Sequence, residues 1–123
     1  MEFSRPPGKT TIDPGVLLAI ARLTALSVEG VSRMGEVPGS LRRIFQRNSD
    51  QGVRIEVADG VVDVEIHVVL HAETDMRSVS REIQVETARA ISEMVGMRVG
   101  HIGVHIDDID FVIPREEEIS SET

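Results

Sequence analysis

The chain has 123 residues, 41% of them hydrophobic, which is enough for one core and too short for two ordinary domains. Its net charge of −8 sits in the second half, where residues 52–123 carry six Lys/Arg against sixteen Asp/Glu; this balance and the absence of Tyr and Trp make nucleic acid an unexpected partner. With no cysteine there are no disulfides, thiolate metal sites or cysteine nucleophiles, a composition that fits a reducing cytoplasm, and no run of about 18 apolar residues offers direct membrane insertion.

Residues 1–11 show no period and are expected to be a flexible lead. Asp13-Pro14 supplies an N-cap oxygen followed by proline at the first helical position. Val16, Leu17, Ile20, Ala21 and Leu23 then follow at helical spacing, predicting a helix over about 14–28 that stops at Gly30. It is apolar around much of its circumference, so it should lie against a sheet or another helix. Residues 32–51 form a long connection and hold the one basic patch, in which Arg42, Arg43 and Arg47 interleave with Leu41, Ile44 and Phe45. Either this is a docked loop with solvated arginines, or it contacts a partner or an anionic surface.

Asp59-Gly60 predicts a two-residue type I′ turn, because both positions tolerate positive φ. Pairing Ala58 with Val61 then sets Val57 opposite Val62, Ile55 opposite Val64 and Val53 opposite Ile66. Arg54 faces Glu65 outside, and one like-charge pair, Glu56 with Asp63, falls on the same outer face. The second strand continues through Val68 and Leu70. Thr74-Asp75 opens a helix with the stripe Met76, Val79, Ile83, Thr87, Ala90, Ile91 and Met94, closed by Gly96. A third strand over about 98–108 points Ile102, Val104 and Ile106 inward, and a right-handed crossover makes it parallel to a neighbour. Residues 112–123 are expected to be an acidic disordered tail. The predicted class is α+β: a sheet of about three strands, open to extension by irregular edge segments, in the order α-β-β-α-β. Both helices cover one face and the other face is left free.

Alternation places His67, His71, His101 and His105 on the outer side with Asp63, Glu65 and Asp107, together with Val61, Val69 and Val99. Histidines four apart on one strand are about 13 Å apart, so a metal would need cross-strand pairs. Open alternatives for this face are solvated histidines, a protein interface sensitive to pH, or a metal site. Asp107-Asp108-Ile109-Asp110 reads as a solvated strand end without calcium-loop spacing. Neither a phosphate loop nor a Gly-x-Gly-x-x-Gly fingerprint is present, and no nucleophile elbow surrounds Ser78, Ser80 or Ser92, so no catalytic residue and no cofactor is expected.

Several phrases follow one another along the chain: Ile12-Asp13-Pro14-Gly15-Val16-Leu17, Ala25-Leu26-Ser27-Val28-Glu29-Gly30-Val31, Gly60-Val61-Val62-Asp63-Val64-Glu65-Ile66-His67-Val68-Val69, Ile83-Gln84, Met94-Val95-Gly96-Met97, and Val99 to Asp108. In this order they resemble the bacterial alkaline shock protein family, the Gls-type general stress proteins. The resemblance implies a cytoplasmic, non-enzymatic, self-associating protein linked to the cell envelope and stress, in some members held beneath the membrane by a membrane-anchored partner. It brings no catalytic residues. His71-Ala72-Glu73 departs from the Tyr-Gly pair common there, and the 32–51 connection is unusually long and arginine-bearing. Homo-oligomerisation is therefore the expected partnership, with His67, His71, His101, His105, Val69, Arg42, Arg43 and Phe45 as candidate contact residues. The alternative is a small RNA- or ligand-binding regulator using the arginines of 32–51.

Overall fold

In a computed structural model, residues 7–38 and 49–111 are described. Helix α1 spans Pro14–Ser27 and begins where expected: the Asp13 carboxylate accepts the Gly15 N–H at 2.9 Å, and proline takes the first turn. Strands β1 (Val31–Met34), β2 (Ser49–Asp50), β3 (Val53–Ala58) and β4 (Val61–His71) precede helix α2 (Met76–Val95), and β5 (Arg98–Asp110) follows it. The α+β class and the order of its main elements are as the sequence predicts. The sheet has five strands because 31–34 and 49–50 join its edges.

The β3–β4 hairpin has the predicted register, Val53 opposite Ile66 through Ala58 opposite Val61. Its turn has φ of 54° at Asp59 and 77° at Gly60, the left-handed pair that matches strand twist. β4 is the spine of the sheet. β5 runs parallel along one of its edges, as a crossover through α2 requires, and β3 and β1 share the other. They meet at His67, whose N–H donates to the Gly52 carbonyl and whose carbonyl accepts the Gly35 N–H, both at 2.7 Å. The chain thus leaves β4 at Gly35 and returns to it at Gly52, just after β2 has paired with β3. Gly52 has φ of +87°, and a Cβ there would lie 2.7 Å from the Gly35 carbonyl oxygen and 2.9 Å from that of His67. Only glycine fits that junction.

Both helices pack on one face, with α1 against α2, β3 and β4, and α2 over β5. Between the layers lie Leu17, Leu18, Ala21 and Ala25 of α1, Val79, Ile83 and Ile91 of α2, and the even-numbered residues Val62 to Leu70 of β4. Thr87 is buried with them, as its place in the stripe predicts, whereas Met76 and Met94 at the ends of α2 are exposed. Gly96 closes α2 by donating its N–H to the Ile91 and Ser92 carbonyls.

Candidate functional site: the outer face of the sheet

Two β-bulges in β5 set the chemistry of the outer face. Opposite Asp63 the strand carries an extra residue, so Val99 pairs with Val62 and packs toward the core, not outward as simple alternation predicts. The Asp63 carboxylate accepts the His101 N–H at 2.8 Å. Asp107 is the extra residue of the second bulge, which returns Ile109 to the core side. Its carboxylate accepts from His67 Nδ1 at 3.1 Å.

Glu65 pairs with Gly103 across the β4–β5 ladder, and the missing side chain there lets its carboxylate lie across β5. One oxygen accepts from His105 Nε2 at 2.6 Å and the other lies 3.2 Å from His101 Nε2. An ionised carboxylate only accepts, so the two hydrogen bonds put a donor proton on Nδ1 of His67 and on Nε2 of His105. The His67 and His105 rings stack with centroids 4.4 Å apart and planes 15° from parallel. Asp107, His67, His105, Glu65 and His101 therefore form one continuous polar chain across two strands. Its members satisfy one another, and among the described residues no group of three or more His, Cys, Asp or Glu is arranged to hold a metal ion.

The fourth histidine stands apart. His71 is exposed at the far end of β4, opposite Asp110. Asp110 is engaged from β1: the Ser32 hydroxyl donates to it at 2.6 Å and Arg33 Nε at 3.1 Å. A bulge in β1 between Val31 and Arg33 lets these consecutive residues reach one carboxylate. The Ser32 hydrogen bond, then that of Arg33, holds the Asp110 carboxyl below the usual carboxylate range. At the start of α2, the Ser78 N–H and hydroxyl do the same for Asp75.

This face is less open than the sequence suggests. Val69, a candidate contact residue, is only 2% exposed and is removed from solvent. Arg33 pairs with Val69 across the ladder and crosses to Asp110 on the far side of β4. Val37 is also buried, and neither valine belongs to the main core. A Cβ on Gly35 would touch Asp107 and the His67 Cβ, so the chain passes close over the outer side here. Arg42, Arg43, Phe45 and Arg47 lie outside the described residues, as do 1–6 and 112–123.

The helix side carries a feature that no polar motif announces. Ile12, just before α1, and Val16, Leu23 and Leu26 within it are exposed. Val16 and Leu23, with Ala19, Ile20 and Met94 of α2, line an apolar groove of about 440 Å³. The all-round apolar character of 14–27 is the signal of it in the sequence.

The geometry is that of a small α+β domain whose polar outer face is internally paired and whose helix layer exposes apolar surface. The chain belongs to the alkaline shock protein family, which takes in the Gls24-type proteins and is described as having a cell envelope-related function; the family match covers residues 2–111. It is 26% identical over 112 residues to the uncharacterized protein YqhY of Bacillus subtilis (strain 168), an alignment covering 89% of this chain and 83% of that protein. No solved structure matches it. No described helix is long and apolar enough to cross a membrane.

Proposed function

We propose that this protein is a non-enzymatic, self-associating scaffold or adaptor of the cell envelope and its stress response, working on the cytoplasmic side and reaching the membrane through a membrane-anchored partner protein. The observation that carries the reading is the apolar groove between α1 and α2. Val16 is 46% exposed, Leu23 57% and Met94 71%, on a chain that is otherwise strongly acidic. Leaving such side chains in water costs about 25 cal/mol per Å² of apolar area, and contiguous patches of this kind mark interaction sites. A two-fold contact between two copies of the same groove is self-complementary. A specific interface buries at least about 1,000 Å² over both copies, so the groove must be joined by exposed neighbours such as Ile12 and Leu26, and association at that low end should be reversible and concentration-dependent. The family's description by an envelope-related function rather than a catalytic activity supports the same reading.

Light scattering of the tag-free protein across concentration, at pH 6 and pH 8 and at low and high salt, tests it. The expected mass rises above the 13.5 kDa of one chain with little dependence on salt, and Leu23→Glu holds the protein at one chain. A groove contact contains no imidazole, so the two pH values should agree. A single-chain mass at every concentration would overturn self-association.

A further inference from the structure

The free edge of β5 borders a second groove, on the side of α2 away from α1. Met76, Arg77, Ser80, Arg81 and Gln84 occupy one face of the helix and, with Ile106 of β5, line a cavity of about 400 Å³. Among the described residues no strand pairs with β5 on this side. The direction of its main-chain groups follows from β4. His67 uses its N–H and carbonyl toward Gly52 and Gly35, so Ile66 and Val68 face β5. In a parallel ladder the residue paired with His67, which is His105, bonds to both of them, and its neighbours Val104 and Ile106 turn their N–H and carbonyl groups to the open edge. The Ile102 carbonyl has the same orientation, and Gln84 Nε2 donates to it at 3.0 Å, a side chain standing where a neighbouring strand would bond.

We propose that this edge is a binding site for an extended, acidic segment of a partner protein, which adds to the sheet as a strand beside β5 and lies in the groove under α2. Strand addition takes its affinity from main-chain hydrogen bonds and its selectivity from the side chains around it. Here the selectivity is for negative charge. Arg77 and Arg81 flank the groove and form no ion pair among the described residues; the Asp75 carboxylate, which feels the charge of Arg81, is bonded to the Ser78 N–H and hydroxyl. A second copy of this chain fits worse. Pairing β5 with β5 about a two-fold axis would set both copies' Arg77 and Arg81 along one shared groove, a like-charge arrangement. The regular stretch of β5 between its bulges, residues 102–106, also matches a short segment better than a long strand.

The site is separate from the α1–α2 groove, so the two proposals fail separately. The test is a phage-displayed library of random eight-residue peptides selected against the full chain, followed by one recovered peptide made synthetically. The library should enrich acidic, β-branched sequences. Saturating peptide should slow hydrogen exchange at the Val104 and Ile106 amides. The double substitution Arg77→Glu with Arg81→Glu, on an exposed helix face where folding is readily checked by circular dichroism, should weaken binding at least roughly tenfold. Leu23→Glu should leave peptide binding intact. The proposal is overturned by no enrichment or by basic sequences, by peptides that leave those two amides unchanged, or by affinity indifferent to the charge reversal. Slowing of the same amides by raising protein concentration alone would assign the edge to a second copy instead.

Discussion

The two faces of the sheet are held by different rules. On the inner face the side chains of β3 and β4 keep a regular alternation, and Val53, Ile55, Val62, Val64 and Ile66 are all fully buried or nearly so; Val57, which the register sets inward opposite Val62, lies near the hairpin end beyond the helix cover and is 46% exposed. On the outer face the histidine–carboxylate contacts between β4 and β5 depend on local irregularities. His101 meets Asp63 at one bulge, His67 meets Asp107 at another, and Glu65 reaches two histidines because its cross-strand neighbour is glycine. Uniform geometry serves apolar packing, which is non-directional, whereas hydrogen bonds need particular distances that an ideal ladder does not provide.

That contrast is breakable by mutation. Ile66→Ala removes a fully buried side chain from the centre of β4 and should cost about 2–5 kcal/mol in urea denaturation; a loss under about 1 kcal/mol would mean that the inner face is not the principal source of stability. Next come two glycines. At Gly52 an added methyl meets two backbone oxygens at a positive φ, so Gly52→Ala should destabilise by about 1–3 kcal/mol. At Gly103 the same methyl meets only the end of the Glu65 side chain, which can swing away. Gly103→Ala should therefore cost less than Gly52→Ala and should release the Glu65–His105 contact, visible as altered His105 ring resonances. Equal costs at the two sites would contradict the distinction between a backbone junction and a side-chain slot.

The smallest expected effect concerns pH. Asp110 is held below the usual carboxylate range by Ser32 and Arg33, so its stabilising contribution is present above the unfolded carboxyl's pKa and fades as pH falls through the folded one. The difference in Tm between wild type and Asp110→Ala should be steady at neutral pH and shrink below about pH 4. A difference independent of pH over that range would remove Asp110 as the tie between β1 and β5.

The inner face was legible in the sequence because two signals agreed: Asp59-Gly60 fixes the turn, and apolar alternation on both sides of it fixes the register. The crossover to β5 was legible from strand, helix and strand in that order. β1 was not, since Val31-Ser32-Arg33-Met34 is short, polar in its middle and bulged. Alternation alone sets Val99 on the outer side, because a bulge leaves no mark in the pattern beyond a glycine such as Gly100. His67 and His105 were placed correctly on one face and meet, but their carboxylate partners depend on where the bulges fall. Val69 lost its exposure to a crossing ion pair, whose two ends, Arg33 and Asp110, lie 77 residues apart. For the helices, the apolar surplus of α1 was plain, yet which side would remain uncovered depended on where α2 lay against it.

On the proposed function, copies of this chain meet through the helix layer and not through the outer face. Methyl NMR spectra recorded over a concentration series test it most directly. The methyl signals of Val16, Leu23 and Met94 should move with concentration while that of Val61, on the sheet's outer side, stays in place. Movement at Val61 and the His67–His105 rings with a silent Leu23 would contradict it and place the contact on the imidazole-bearing face.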